Sequence, residues 1–159
     1  MTHNLPPGVN MVIRSAKFRK GLMISFTFTG ETSLHWAAEN GHKQICKMIM
    51  DEINDKNPSG QFGKTPLHRA VQNGDEPLCQ MILSEVEDKN PHGQFGKTPL
   101  HVAAENGNLP IFKMIMDVIK DKNPMDQDKS TPLHLAAENG HEQICRLIMN
   151  AVLDKNPKV

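Results

Sequence analysis

The sequence predicts an all-α solenoid in which helix–turn–helix units stack side by side. Three observations carry that expectation. A Thr-x-Leu-His motif returns at Thr32–His35, Thr65–His68, Thr98–His101 and Thr131–His134, each 33 residues after the last. An Asn-Gly pair follows every motif, and apolar residues after it recur at helical spacing. Strict recurrence at this period marks an array of small units that bury their faces against one another.

Within a unit, Thr65 stands where a hydroxyl can cap the free amides of the helix it precedes. Pro66 follows at the first helical position, where its missing N–H costs nothing. This first helix ends at Asn73-Gly74, the glycine supplying the left-handed residue that stops it. Its inward residues are small: Leu34/Ala37/Ala38, Leu67/Ala70/Val71, Leu100/Ala103/Ala104 and Leu133/Ala136/Ala137. Such side chains let neighbouring helices approach closely.

The second helix is longer. It carries Ile45/Ile49/Ile53, Leu78/Ile82/Val86, Ile111/Ile115/Ile119 and Ile144/Ile148/Val152 at i, i+4 and i+8. Cys46/Met48/Met50, Cys79/Met81/Leu83, Phe112/Met114/Met116 and Cys145/Leu147/Met149 widen the stripe. It is broader than a helix lying on one surface needs, so cover from several sides is expected. Asp-Lys-Asn-Pro closes each unit, at Asp55–Pro58, Asp88–Pro91, Asp121–Pro124 and Asp154–Pro157.

Gly63-Lys-Thr-Pro-Leu-His-Arg-Ala-Val-Gln-Asn-Gly74, with its three counterparts, resembles the ankyrin repeat. The likeness covers residues 30–159, with units near 30–62, 63–95, 96–128 and 129–157. It implies β-hairpin loops projecting from the helix pairs, a motif histidine tying loop to helix, and a concave face that binds other proteins. Ser33 departs by replacing the helix-starting Pro. Lys129 stands where Gly30, Gly63 and Gly96 stand elsewhere, so it is strained if that position requires φ > 0, or else its loop is shaped differently.

Composition narrows the functional classes. Lys+Arg and Asp+Glu are equal at 18, so no basic excess points to nucleic acid. No apolar run reaches the ~20 residues of a bilayer span. Three cysteines are too few and of the wrong parity for a disulfide-stapled module, and fit a reducing compartment, cytoplasm or nucleus. Residues 1–29 stand apart as a divergent segment, with Arg14, Lys17, Arg19, Lys20 and no acid. A transit peptide is usually richer in Arg and Ser, so this segment is expected to cover the outer face of the first unit. No polar closing unit follows Pro157, which leaves room for a longer array or for end-to-end pairing.

No catalytic or metal chemistry is expected. His35, His68, His101 and His134 sit on units about 8–10 Å apart, whereas zinc ligands lie within about 2.1 Å of one metal. The string Gly60-Gln-Phe-Gly-Lys-Thr65 echoes a phosphate-binding loop, but Pro58 occupies the place of its leading Gly and no strand precedes it. No cofactor and no small-molecule substrate are implied.

The positions that vary between units are those available to a partner. Trp36, Arg69 and Val102 follow the motif histidine, with Glu39, Gln72 and Glu105 one turn on. Gln61, Phe62 and Lys64, and Gln94, Phe95 and Lys97, stand at the loop tips. Interfaces favour Trp, Phe and Arg as anchors. These twelve residues form the expected protein-binding surface of an interaction module or scaffold; packing of Phe62 on Phe95 is the competing use of those rings. The alternative is the array portion of a larger signalling enzyme or channel, or a designed or decayed array with no ligand. Leu100→Ala is expected to cost more than Leu34→Ala, on the view that Leu34 lacks a neighbour on one side.

Overall fold

A computed structural model describes residues 29–153. The divergent segment 1–29, apart from Thr29, and the last Asp154–Pro157 motif lie outside them. The described residues form eight α-helices in four antiparallel pairs: α1 Ser33–Glu39 and α2 Lys43–Glu52, α3 Pro66–Asn73 and α4 Glu76–Glu85, α5 Pro99–Asn106 and α6 Leu109–Val118, α7 Pro132–Glu138 and α8 Glu142–Leu153. The odd-numbered helices pack in one row and the even-numbered helices from α4 onward in a second.

Each first helix opens on the motif itself. The Thr65 backbone N–H donates to His68 Nδ1 at 3.2 Å, and the same box is built at Thr32/His35, Thr98/His101 and Thr131/His134. Gly74 ends α3 at φ 73°, a conformation that costs glycine little. Second helices are capped differently: the side chains of Asp75 and Asn108 accept from Leu78 N–H and Ile111 N–H.

Asp-Lys-Asn-Pro proves to be a joint with three functions. Asp88 Oδ1 accepts from Asn90 N–H at 3.0 Å, closing an Asx turn. The Lys89 ammonium donates to the carbonyls of Leu83 and Val86, which the end of α4 leaves open. Asn90 Oδ1 then accepts from Leu100 N–H at 3.0 Å, inside the first turn of α5. Asp121, Lys122 and Asn123 repeat all three at the next boundary. Lys56 departs, pairing instead with Glu85 at 2.8 Å.

Comparing one position across units shows which way it faces. Ile45 is 48% exposed, while Leu78, Ile111 and Ile144 are buried, so this position faces the preceding unit. Met50, Leu83 and Met116 are buried but Met149 is exposed, so that position faces the following one. Leu34, Leu67 and Leu100 are fully buried, whereas Leu133 is only partly so. This corrects the expectation for Leu34: its side chain points toward α3 and has its full set of neighbours.

The loops also differ from expectation. Among the described residues no strand forms. Each of the first two complete loops turns within Gln61–Gly63 or Gln94–Gly96, and Lys64 N–H donates to Gln61 O at 3.1 Å. Phe62 (φ 56°) and Gly63 (φ 72°) are both left-handed, the requirement of a type I′ hairpin turn. The reversal is therefore that of a hairpin, with flanks too short to pair as strands. Lys129 adopts φ 60°, so its position does require φ > 0 and the lysine carries the strain. Its loop keeps the same closure, Asp126 N–H to Ser130 O at 2.8 Å, reinforced by Asp126 Oδ1 accepting from Asp128 and Ser130 N–H.

Candidate partner-binding surface

The motif histidines are structural, and their chemistry is set by geometry. His68 Nδ1 is an acceptor for Thr65 N–H, so the neutral ring carries its proton on Nε2 and donates to Lys97 O at 3.1 Å. His35 reaches Lys64 O and His101 reaches Ser130 O in the same way, each bond crossing to the next unit. Burial holds the pKa of His35 and His101 below the usual imidazole value, and that of His68 at about 4. A Cβ on Gly60 or Gly93 would meet the ring of His35 or His68 at 2.6–2.7 Å, so the loop glycine admits the imidazole. His141 bonds across units too: its Nε2 lies 3.0 Å from Glu105 O.

Cys46 and Cys79 are buried, and burial pushes their thiols up to about 11 and 12, leaving them inert small hydrophobes at neutral pH. Among the described residues no group of three or more His, Cys, Asp or Glu could hold a metal ion. No described helix is long and apolar enough to cross a membrane.

The twelve candidate residues divide into two sets. On the helix row, Trp36 is half exposed, and Glu39 and Gln72 are exposed. Arg69 is mostly buried, with Nη2 2.5 Å from Glu31 Oε1 and Nη1 3.5 Å from Glu39 Oε1. Its guanidinium is an inter-unit clamp. Val102 packs against the core. Lys97 reaches back to Glu105 at 3.2 Å, which engages two more candidates with each other.

At the loop tips the arrangement is more open. Phe62 is 62% exposed and Phe95 59%, so neither ring is buried against the other. Gln61, Gln94 and Lys64 are partly exposed beside them. The tips are braced edge to edge. Gly63 lies against the backbone of His92 and Gly93, Gly96 against that of Asp126 and Gln127, and Gln127 N–H donates to Phe95 O at 2.9 Å.

Sequence reasoning missed two exposed residues of the third tip. Met125 is 66% exposed in the third tip, in phase with Ser59 and His92, and Lys129 is exposed beside it. The 33-residue register puts Asp128, not an aromatic, in the place of Phe62 and Phe95, and Lys129 in that of Gly63 and Gly96.

A family model described as ankyrin repeats (3 copies) matches residues 7–92 and again residues 70–159. The first match begins upstream of Gly30, where the in-register motif starts. Comparison with curated proteins returns no match.

Proposed function

We propose, from the premise that this chain belongs to the ankyrin repeat family, that it is a protein-interaction module with no catalysis of its own. Ankyrin repeats are generally protein-interaction modules, and the finer assignment is to one face of this array. The partner is a protein held where the first helices meet the loop tips, the concave side in this family. The observation that carries the reading is a division of labour among residues. Buried threonines, histidines and alanines repeat and hold the stack, while Trp36, Glu39 and Gln72 on the first helices and Phe62 and Phe95 at the loop tips stand exposed.

Single exposed apolar residues are ordinary on soluble proteins. Phe62 and Phe95, in phase with each other at adjacent tips, offer a surface that a partner can read. The reducing interior of the cell, cytoplasm or nucleus, is the setting that suits two buried, unpaired cysteines.

Affinity capture with mass spectrometry tests the module. The intact chain should retain a partner protein that is lost when Trp36→Ser, Phe62→Gly and Phe95→Gly are combined, with the helical circular dichroism unchanged. Arg69 is left intact, because removing it would disturb the clamp rather than the surface. Capture that survives the triple replacement would remove this face from the site.

A further inference from the structure

We propose that the two ends of the described array are the halves of one interface, so that copies of this chain join head to tail. The face of α7 and α8 in one copy then receives the face of α1 and α2 in the next. The proposal goes beyond the interaction-module reading and does not depend on it.

The N-terminal end supplies one half. Trp36, Ile45 and Met48 are 51%, 48% and 69% exposed. In later units the same positions are covered. Leu78, Ile111 and Ile144 are buried in the place of Ile45, and Leu135 in that of Trp36. Met81 and Met114, in the place of Met48, are partly buried against the core. The three residues thus look toward a preceding unit.

The C-terminal end supplies the other half. Ala137, Met149 and Val152 are exposed, whereas Ala104, Met116 and Val86 in the same positions are buried. His134 is exposed as well, while His35, His68 and His101 are at most 3% exposed. Its Nδ1 accepts from Thr131 N–H, so the proton of the neutral ring sits on Nε2. Among the described residues that nitrogen has no acceptor. The other three motif histidines give the same donor to a carbonyl of the following unit.

What covers these faces is displayed three times inside the chain. At every internal boundary the residue in the register of Met149 is buried on one side and the residue in the register of Ile45 on the other. The helices that carry them pack together, α4 on α6 and α6 on α8, with α1, α3, α5 and α7 in a row beside them. A second copy brings the matching half by the same register. The acceptor for His134 Nε2 is then the Glu31 carbonyl of that copy, which holds the place of Lys64 O. No residue named on either face carries a charge, as befits the centre of an interface, and Trp36 supplies an anchor.

Such a contact is heterologous. Repeating the 33-residue step, it lengthens the array and leaves an end open at each side. Residues 1–28, outside the described residues, are the rival cover for Ile45 and Met48, and the test separates the two.

The test uses the full chain and two double variants, Ile45→Glu/Met48→Glu and Met149→Glu/Val152→Glu, which change only exposed side chains. In sedimentation velocity over a concentration series, the parent's average mass should climb past that of a dimer without a plateau. Each double variant alone should stay monomeric, with the parent's helical circular dichroism. Mixed in equal amounts, the two should form a one-to-one dimer that grows no further, since each retains the face the other lacks. A monomeric parent overturns the proposal, and a lower melting temperature in Ile45→Glu/Met48→Glu then assigns that face to residues 1–28. A plateau at the dimer, marking a like-to-like contact, overturns it too, as does a mixture that fails to pair. Trp36 belongs both to this face and to the partner surface, so it is left intact. Phe62→Gly/Phe95→Gly should not alter self-association, so the end contact and the interaction module fail separately.

Discussion

His68 Nε2 lies 3.1 Å from the carbonyl oxygen of Lys97, 29 residues further along and in the following unit. The ring's other nitrogen already accepts from Thr65 N–H at 3.2 Å. A second proton on the imidazole would have to displace that bond, inside a site with little water. The stack therefore depends on neutral histidine at each boundary.

Stability should fall as the solution is acidified. Burial lowers the folded-state pKa of His68 to about 4 from 6.5, with the backbone bond to Lys97 acting in the opposite direction. Below pH 6.5 the unfolded chain binds a proton that the folded one refuses. The contribution is thus fully present above 6.5 and is lost as pH drops toward 4, at up to about 1.4 kcal/mol per pH unit from this residue. His35 and His101 shift in the same direction. Urea midpoints measured at pH 7.5, 6 and 5 should decline, and His68→Gln should flatten part of the decline. A midpoint rising on acidification would contradict the assigned tautomers.

Arg69→Ala should destabilise strongly, by about 3–5 kcal/mol, because it strips a guanidinium from Glu31, whose side chain is only 3% exposed. Adding Glu31→Gln should recover much of the loss. Thermal melts of the parent, both single variants and the double close this cycle; independent, additive losses would refute the clamp.

Phe62→Gly should leave stability equal or raise it slightly. Relief of the left-handed conformation is worth about 1–2 kcal/mol, set against about 0.5–1 kcal/mol for the extra freedom of an unfolded glycine. Lys129→Gly, at φ 60°, is the companion without a ring and should behave alike. Chemical denaturation measures both. A clear loss at Phe62 with none at Lys129 would mean that the ring packs rather than binds.

Leu100→Ala should cost about 2–5 kcal/mol through the cavity it opens. Leu34→Ala should match it, since both side chains are fully buried. Leu133→Ala should cost less, its side chain being only partly covered. Equal losses at all three positions would argue against the directional stacking described here.

Much of the architecture could be read from the chain. Thr65, Pro66 and Gly74 act within a few residues of themselves, and local chemistry of that kind is visible in a string of letters. The direction in which each helix face looks was not. Leu78 and Leu83 are similar hydrophobes on one helix, yet one faces the preceding unit and the other the following one, a difference set by side-chain projection from the helix. Arg69 looked like a free anchor because its partner, Glu31, lies 38 residues away. Phe62 and Phe95 are legible as loop residues, but their left-handed backbone runs against the preference of a bulky side chain and is not. Asp-Lys-Asn-Pro was seen as punctuation, and its bonds to two different helices emerged only in three dimensions.

That four-residue joint also bears on how such a chain could grow. Its ties stay within one unit or cross a single boundary, so a whole 33-residue block can be duplicated, deleted or exchanged by recombination without re-engineering its flanks. A slip of a single residue would misalign the lysine, the asparagine and the imidazole together. Length in this lineage should consequently change in whole blocks, and the spacing between motifs should stay constant while the tips diversify.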